Sequence, residues 1–265
     1  MINPLRKFRY CLISLALVFS AQAGAELQTR TIEYRQGDTV LEGYLAFDTA
    51  GPARKPGVLI VHEWTGLGSY AKSRAEQLAR LGYVAFAADI YGKGVRPNNP
   101  KDAGATATIY KNDRALLRER VKAGLDELRR QQGVDAARIA AIGYCFGGTT
   151  VLELARSGAD VKGIVSFHGG LDTPSPQDAK NIRSKVLALH GADDPYVPAE
   201  QVKAFEDEMR GGNVDWQLVK YSKAVHSFTN PDAGNDNSKG AAYNAEADRR
   251  SWEAMQSFFK EIFQE

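Results

Sequence analysis

The sequence predicts an α/β fold: a mostly parallel central sheet with helices on both faces and no large cap domain. Three observations carry that expectation. Short continuous apolar runs at 58–61, 83–88, 139–142, 161–167 and 185–190 suit strands buried on both faces, as parallel strands are. Amphipathic segments of helix length stand between them, and such alternation implies a sheet covered on both sides. The third is Gly143-Tyr144-Cys145-Phe146-Gly147-Gly148. An apolar run leads into it and a helix-compatible run, 149–156, leads out. Gly-x-Cys-x-Gly is the pattern of a sharp strand-to-helix turn that exposes a nucleophile. Its glycines keep the turn sterically open and allow unusual backbone angles. The thiol would sit at a helix N-terminus, where the helix dipole favours a thiolate.

The first 25 residues stand apart. Arg6, Lys7 and Arg9 precede an apolar run from Cys11 to Phe19, and Ala21-Gln22-Ala23 and Ala23-Gly24-Ala25 read as small-x-small cleavage sites. This is the pattern of a secretory signal peptide, too short in its apolar part for a comfortable membrane span. The expected organisation is a signal at 1–25 and one domain at 26–265, exported to the periplasm or beyond, with no stable membrane anchor after cleavage near Gly24 or Glu26. Loss of three basic and no acidic residues takes the formal charge from +2 to −1, so no basic face for nucleic acid is implied. Cys11 leaves with the signal, and Cys145 remains without a partner. Exported proteins usually pair their cysteines, so an unpaired one points to a task for the thiol.

In chain order, residues 31–34 and 40–47 alternate apolar and polar, an antiparallel pair turned at Gln36-Gly37-Asp38. The strand at 58–61 runs into His62-Glu63-Trp64-Thr65-Gly66-Leu67-Gly68, followed by a helix over 69–81 that Gly82 stops. The strand at 83–88 runs into Asp89-Ile90-Tyr91-Gly92-Lys93-Gly94, and 92–106 reads as an irregular loop. One long helix is expected over 108–132, with Ile109, Leu116, Leu117, Val121, Leu125 and Leu128 on its apolar face. The turn at Cys145 follows, then strands at 161–167 and 185–190. Pro198 starts a helix with Val202, Phe205 and Met209 inward; 215–221 is a last strand, and 229–240 a polar loop. A final helix carries Trp252, Met255, Phe258, Phe259, Ile262 and Phe263 on one face. Repeats and heptads are absent.

In an open α/β sheet, functional groups gather at the carboxyl ends of strands. Four such loops carry reactive side chains: His62-Glu63, Cys145, Asp194 and His226. Nucleophile, acid and histidine occur in that order. His226 can take the thiol proton and return it to a leaving group. Asp194, ahead of a rigid Pro195-Tyr196-Val197-Pro198 turn, can orient the imidazole, while its neighbour Asp193 is expected to cap the turn or face solvent. His168 and His190 read as hydrogen-bonded or buried histidines. No metal-binding spacing such as His-x-x-x-His or Cys-x-x-Cys occurs, and no cofactor is implied.

On five segments the chain resembles the dienelactone hydrolase family of the α/β-hydrolase superfamily. They are His62 to Leu67, Asp89-Ile90-Tyr91-Gly92, the hexapeptide around Cys145, Asp194-Pro195-Tyr196-Val197-Pro198 and His226-Ser227-Phe228. The resemblance implies the α/β-hydrolase fold and a Cys145–His226–Asp194 triad. It implies that Glu63 contacts the resting thiol and that the backbone N–H groups of Trp64 and Phe146 form an oxyanion hole. Where the family prototype uses two arginines for a substrate carboxylate, this chain has Thr229-Asn230 and Gly92-Lys93. Tyr91 and Lys93 are therefore the expected substrate-binding residues, Lys93 keeping a charge but not arginine's fork. The expected activity is thiol-dependent hydrolysis of a small-molecule ester or lactone by a monomer, through an acyl-enzyme. The competing reading is a non-catalytic or redox-sensing binding protein using the free thiol of Cys145. The mature chain lacks a resolving cysteine for a redox relay.

Overall fold

A computed structural model describes residues 26–264, so the expected signal at 1–25 lies outside the described residues. Eight strands form one sheet: β1 (Leu27–Gln36), β2 (Thr39–Asp48), β3 (Lys55–Val61), β4 (Val84–Ala88), β5 (Val134–Tyr144), β6 (Gly163–Phe167), β7 (Lys185–Gly191) and β8 (Trp216–Tyr221). Their spatial order is β1-β2-β4-β3-β5-β6-β7-β8. The β1–β2 hairpin turns at Gly37 and joins β4 antiparallel, while every pairing from β4 to β8 is parallel. Parallel strands place all their carboxyl ends on one edge, which gathers the candidate residues there.

Among the described residues, six α-helices cover the faces: α1 (Ser69–Arg80), α2 (Pro100–Asn112), α3 (Arg114–Arg130), α4 (Phe146–Arg156), α5 (Ala199–Gly211) and α6 (Ala245–Gln264). Side chains alternate across a strand, and β3 shows the result. Val58 and Ile60 pack with Ala71, Ala75 and Leu78 of α1 and Met255, Phe258 and Phe259 of α6. Leu59 and Val61 pack on the opposite face with Leu117, Val121 and Leu125 of α3, Val151 and Leu154 of α4, and Phe205 of α5. Both faces of the central strands are thus dry, as their unbroken apolar runs require.

Two expectations fail between 92 and 132. The presumed loop contains the start of a helix, because Asn99 accepts from Asp102 N–H at 3.0 Å and Pro100 occupies the first turn. The presumed single helix is two. Asp113 leaves helical geometry at φ −117°, ψ 82°, and its carboxylate caps Leu116 N–H at 2.9 Å. Ile109 therefore sits on α2, where it is 58% exposed rather than on the apolar face of α3. A 3₁₀ segment at Pro176–Asn181 was also not anticipated.

Behind the sheet edge, Arg156 at the end of α4 is fully buried. It pairs with Glu153 at 2.9 Å and Glu208 of α5 at 2.7 Å, and donates to Leu171 O at 3.1 Å. Removing one member of such a buried ionic cluster would strand the others. The cluster ties α4 to α5 and to the loop after β6.

Candidate active site

Cys145 stands between β5 and α4 at φ 55°, ψ −116°, a strained conformation for a residue with a Cβ. The flanking glycines are steric necessities. A Cβ on Gly143 would lie 2.0 Å from Gly147 O, and one on Gly147 would lie 2.2 Å from Val61 O. Cys145 is half-buried and is a free cysteine. As the N-cap of α4 it precedes Phe146, whose N–H falls in the first turn without an intrahelical acceptor.

His226, after β8, turns its Nδ1 to Asp194 Oδ2 at 2.8 Å. Asp194, after β7, has a fully buried side chain, and its Oδ1 accepts Tyr196 N–H at 2.9 Å. One carboxylate oxygen thus fixes the acid and the other orients the imidazole. Asp193 is exposed, as expected of the residue not used. Burial alone would depress the His226 imidazole, but the sulfur of Cys145 and the Asp194 carboxylate outweigh it and hold the ring up at about 10. Both partners favour the charged form of the ring, which faces the sulfur.

Glu63 is buried, and burial raises its carboxyl above the usual range while the hydrogen bond from Asn230 pulls it down. The expected contact with the thiol is replaced by another: Glu63 Oε2 accepts from Asn230 Nδ2 at 2.6 Å. Asn230 Oδ1 is already held by Asp232 N–H at 2.9 Å, so the amide can offer Glu63 only its NH₂. Trp64 is 38% exposed at the cavity rim. Its carbonyl accepts from the Tyr91 hydroxyl at 2.9 Å, which fixes the peptide beyond Glu63. Tyr91 does not line the cavity; its ring is buried against Tyr110, Phe146 and His62. The Tyr91 main chain is held in turn by Asp89, whose Oδ1 accepts Tyr91 N–H at 3.1 Å.

A cavity of about 380 Å³ opens over Cys145 and His226. Its walls include Trp64 and Phe146, Gly104, Ala107, Thr108 and Lys111 of α2, Thr149, Asp172, Tyr196 and Gln201. Lys93 is outside it. The Lys93 ammonium pairs with Glu33 on β1, 47% exposed, because the β1–β2 hairpin runs beside the loop after β4. The lysine that does line the cavity is Lys111, which sequence reasoning missed because it lies off the apolar face expected over 108–132. Gln201 was missed as well; its Oε1 accepts Leu171 N–H at 3.0 Å, turning the NH₂ away from that bond.

The other three histidines lie outside the cavity. His62 is buried, its Nδ1 bonded to Glu63 O and its Nε2 accepting Ile90 N–H at 3.2 Å; burial lowers it to about 4. His168 is buried and hydrogen-bonded, as read from sequence. His190 is buried, but its Nδ1 has no partner, contrary to expectation. Among the described residues, no cluster of His, Cys, Asp and Glu is arranged to hold a metal ion, and no helix is long and apolar enough to cross a membrane.

The description "Dienelactone hydrolase family" matches residues 41–263. The chain belongs to the dienelactone hydrolase family. The solved structure described as m3DLH is 44% identical, covering 89% of this chain and 99% of that one at TM-score 0.86. A dienelactone hydrolase-like promiscuous phosphotriesterase, P91 from metagenomic libraries, is 45% identical at TM-score 0.85, covering 91% and 100%. A protein of Aquifex aeolicus (strain VF5) whose name proposes a carboxymethylenebutenolidase is 28% identical over 235 residues, 86% of this chain and 96% of that one. The eight-stranded sheet without a large cap is the family's α/β-hydrolase fold, and the chain is a dienelactone hydrolase-like hydrolase of the carboxylic ester and lactone class.

Proposed function

We propose that this member of the dienelactone hydrolase family acts on small esters or lactones through Cys145, His226 and Asp194, after export from the cytoplasm. The observation that supports the mechanism is the placing of the His226 ring between a buried carboxylate at 2.8 Å and the sulfur of a strained strand-to-helix turn. The thiolate of Cys145 attacks the substrate carbonyl and a C–S bond forms. The carbonyl oxygen, now negative, is met by the N–H groups of Phe146 and Trp64. His226 gives its Nε2 proton to the departing alkoxide as the C–O bond breaks, leaving an acyl-thioenzyme. Water then adds with His226 as base, and collapse releases the carboxylic acid and restores the thiolate.

Glu63, held by Asn230, places a buried carboxyl near His226 without bonding the thiol. Export rests on the basic start, apolar run and small-x-small sites of residues 1–25. The test of mechanism is Cys145→Ala. It should retain the fold and lose ester turnover by more than about 10³-fold; a folded variant with parental activity would overturn it. The test of export is N-terminal sequencing of protein from a periplasmic extract, with a start near Gly24 or Glu26 expected and an intact Met1 refuting it.

A further inference from the structure

One group of buried residues touches the proposed machinery without lining the cavity. His168 follows β6 in a left-handed conformation, φ 38°. Its Nδ1 accepts Cys145 N–H at 3.1 Å, a proton shared with Phe167 O at 3.0 Å. Its ring also stands edge-to-face with His226, centroids 5.4 Å apart. It thus contacts both nucleophile and base.

The proton positions follow from elementary chemistry. A backbone N–H only donates, so Nδ1 of His168 carries no proton and the neutral ring holds it on Nε2. Nε2 lies 2.7 Å from Thr229 Oγ1, which must accept. The Thr229 hydroxyl proton then goes to the Tyr70 hydroxyl at 2.6 Å. Tyr70 also accepts Arg74 Nε–H at 3.2 Å, and its own proton reaches Thr229 O at 3.2 Å. Arg74 Nη2 donates to Thr229 O at 2.8 Å and to Asp248 of α6 at 2.6 Å. Arginine only donates, so both ends of the series run inward and one arrangement of protons satisfies every member. Burial, together with the neighbouring His226 charge, keeps His168 neutral.

We infer that His168 and Thr229 are positioning residues that hold the strained Cys145 turn and the His226 ring in register through the hydrogen bonds Cys145 N–H to His168 Nδ1 and His168 Nε2–H to Thr229 Oγ1. The inference rests on Cys145 and His226 being the nucleophile and base. Neither positioning residue reaches the cavity. Their loss should therefore misplace reacting groups without changing how substrate is held, and misplacements of about 1 Å can cost about 10²-fold in rate.

Thr229→Val keeps the shape and removes the acceptor; Thr229→Ser restores it. With p-nitrophenyl acetate, and rates expressed per titratable active site, Thr229→Val should lower kcat about 10- to 100-fold with KM within about twofold, while Thr229→Ser stays near parental kcat. Should Thr229→Val fail to fold, His168→Asn carries the same test, since its short amide can accept from Cys145 but cannot reach Thr229. Parental kcat in the folded variant, or equal losses in Thr229→Val and Thr229→Ser, overturns the inference. Cys145→Ala run alongside separates the two levels: an inert Cys145→Ala with an unimpaired Thr229→Val removes the positioning role alone, whereas an active Cys145→Ala removes the reading beneath it.

Discussion

Replacing Asp194 by Asn keeps size and changes one hydrogen-bond role. The Oδ1 of the acid is committed to Tyr196 N–H at 2.9 Å and Oδ2 to His226 Nδ1 at 2.8 Å. In the Asn variant the amide oxygen stays with Tyr196, which leaves the NH₂ facing Nδ1. Two donors cannot share that bond, so Nδ1 gives up its proton and the imidazole carries it on Nε2 instead. The ring then cannot accept a proton from the thiol and has no buried carboxylate to stabilise its charged form. In the serine-protease case the matching change costs about 10⁴ in kcat. Here a loss of about 10³- to 10⁴-fold is expected, about 4–5.5 kcal/mol of transition-state stabilisation. The assay is steady-state and burst-phase hydrolysis of p-nitrophenyl acetate, with Asp193→Asn as the comparison. Asp193 is exposed and should cost less than about threefold. A loss under tenfold in Asp194→Asn, or equal losses in both, would refute the orientation argument.

Gly147→Ala should cost more than about 3 kcal/mol or prevent folding, because its Cβ would lie 2.2 Å from the Val61 carbonyl and neither backbone can yield; a parental thermal melt would contradict this. His62 is held neutral down to about 4, so between pH 6.5 and 4 the unfolded chain binds a proton that the folded one does not. Its contribution is fully present above pH 6.5 and is lost as pH falls, by about 1.4 kcal/mol per unit, and urea unfolding of parent and His62→Gln across that range reads the difference. Lys93→Ala should leave the kcat/KM ratio of an anionic to a neutral ester unchanged, since Glu33 already holds that ammonium. Lys111→Ala should lower the ratio by about two- to fivefold, the modest effect of an exposed cation, as measured on a matched ester pair.

Much of this was legible in the sequence, for reasons that differ by residue. The central strands announce themselves because burial on both faces leaves no room for polar alternation, as at Val58 to Val61. Gly143 and Gly147 are readable because the elbow's close contacts exclude any side chain. Asp194 was distinguishable from Asp193 by the rigid turn behind it. The break at Asp113 was hidden, since an acid within an amphipathic run looks like an exposed helical surface until its carboxylate is seen capping Leu116. The Asn99-Pro100 start signal was present, yet the Gly and Pro content around it masked the helix. Lys93 failed for a different reason: its partner Glu33 lies 60 residues away, and only the hairpin's placement brings them together. The Thr229–His168 bond spans 61 residues and carries no local signature either.

The separation of α2 from α3 changes what the fold can tolerate. α3 is welded to the sheet through Leu117, Val121, Leu125 and Leu128, whereas α2 inserts only small residues and Tyr110, and gives Gly104, Ala107, Thr108 and Lys111 to the cavity. Asp113 ends one helix and starts the next, so the two can be revised independently. α2 is in effect a replaceable panel. Substitutions at Thr108 and Lys111 can reshape the chamber over Cys145 while the strands, the elbow and the buried histidines keep their places. A lineage or a directed-evolution library seeking new substrates has its least costly route there.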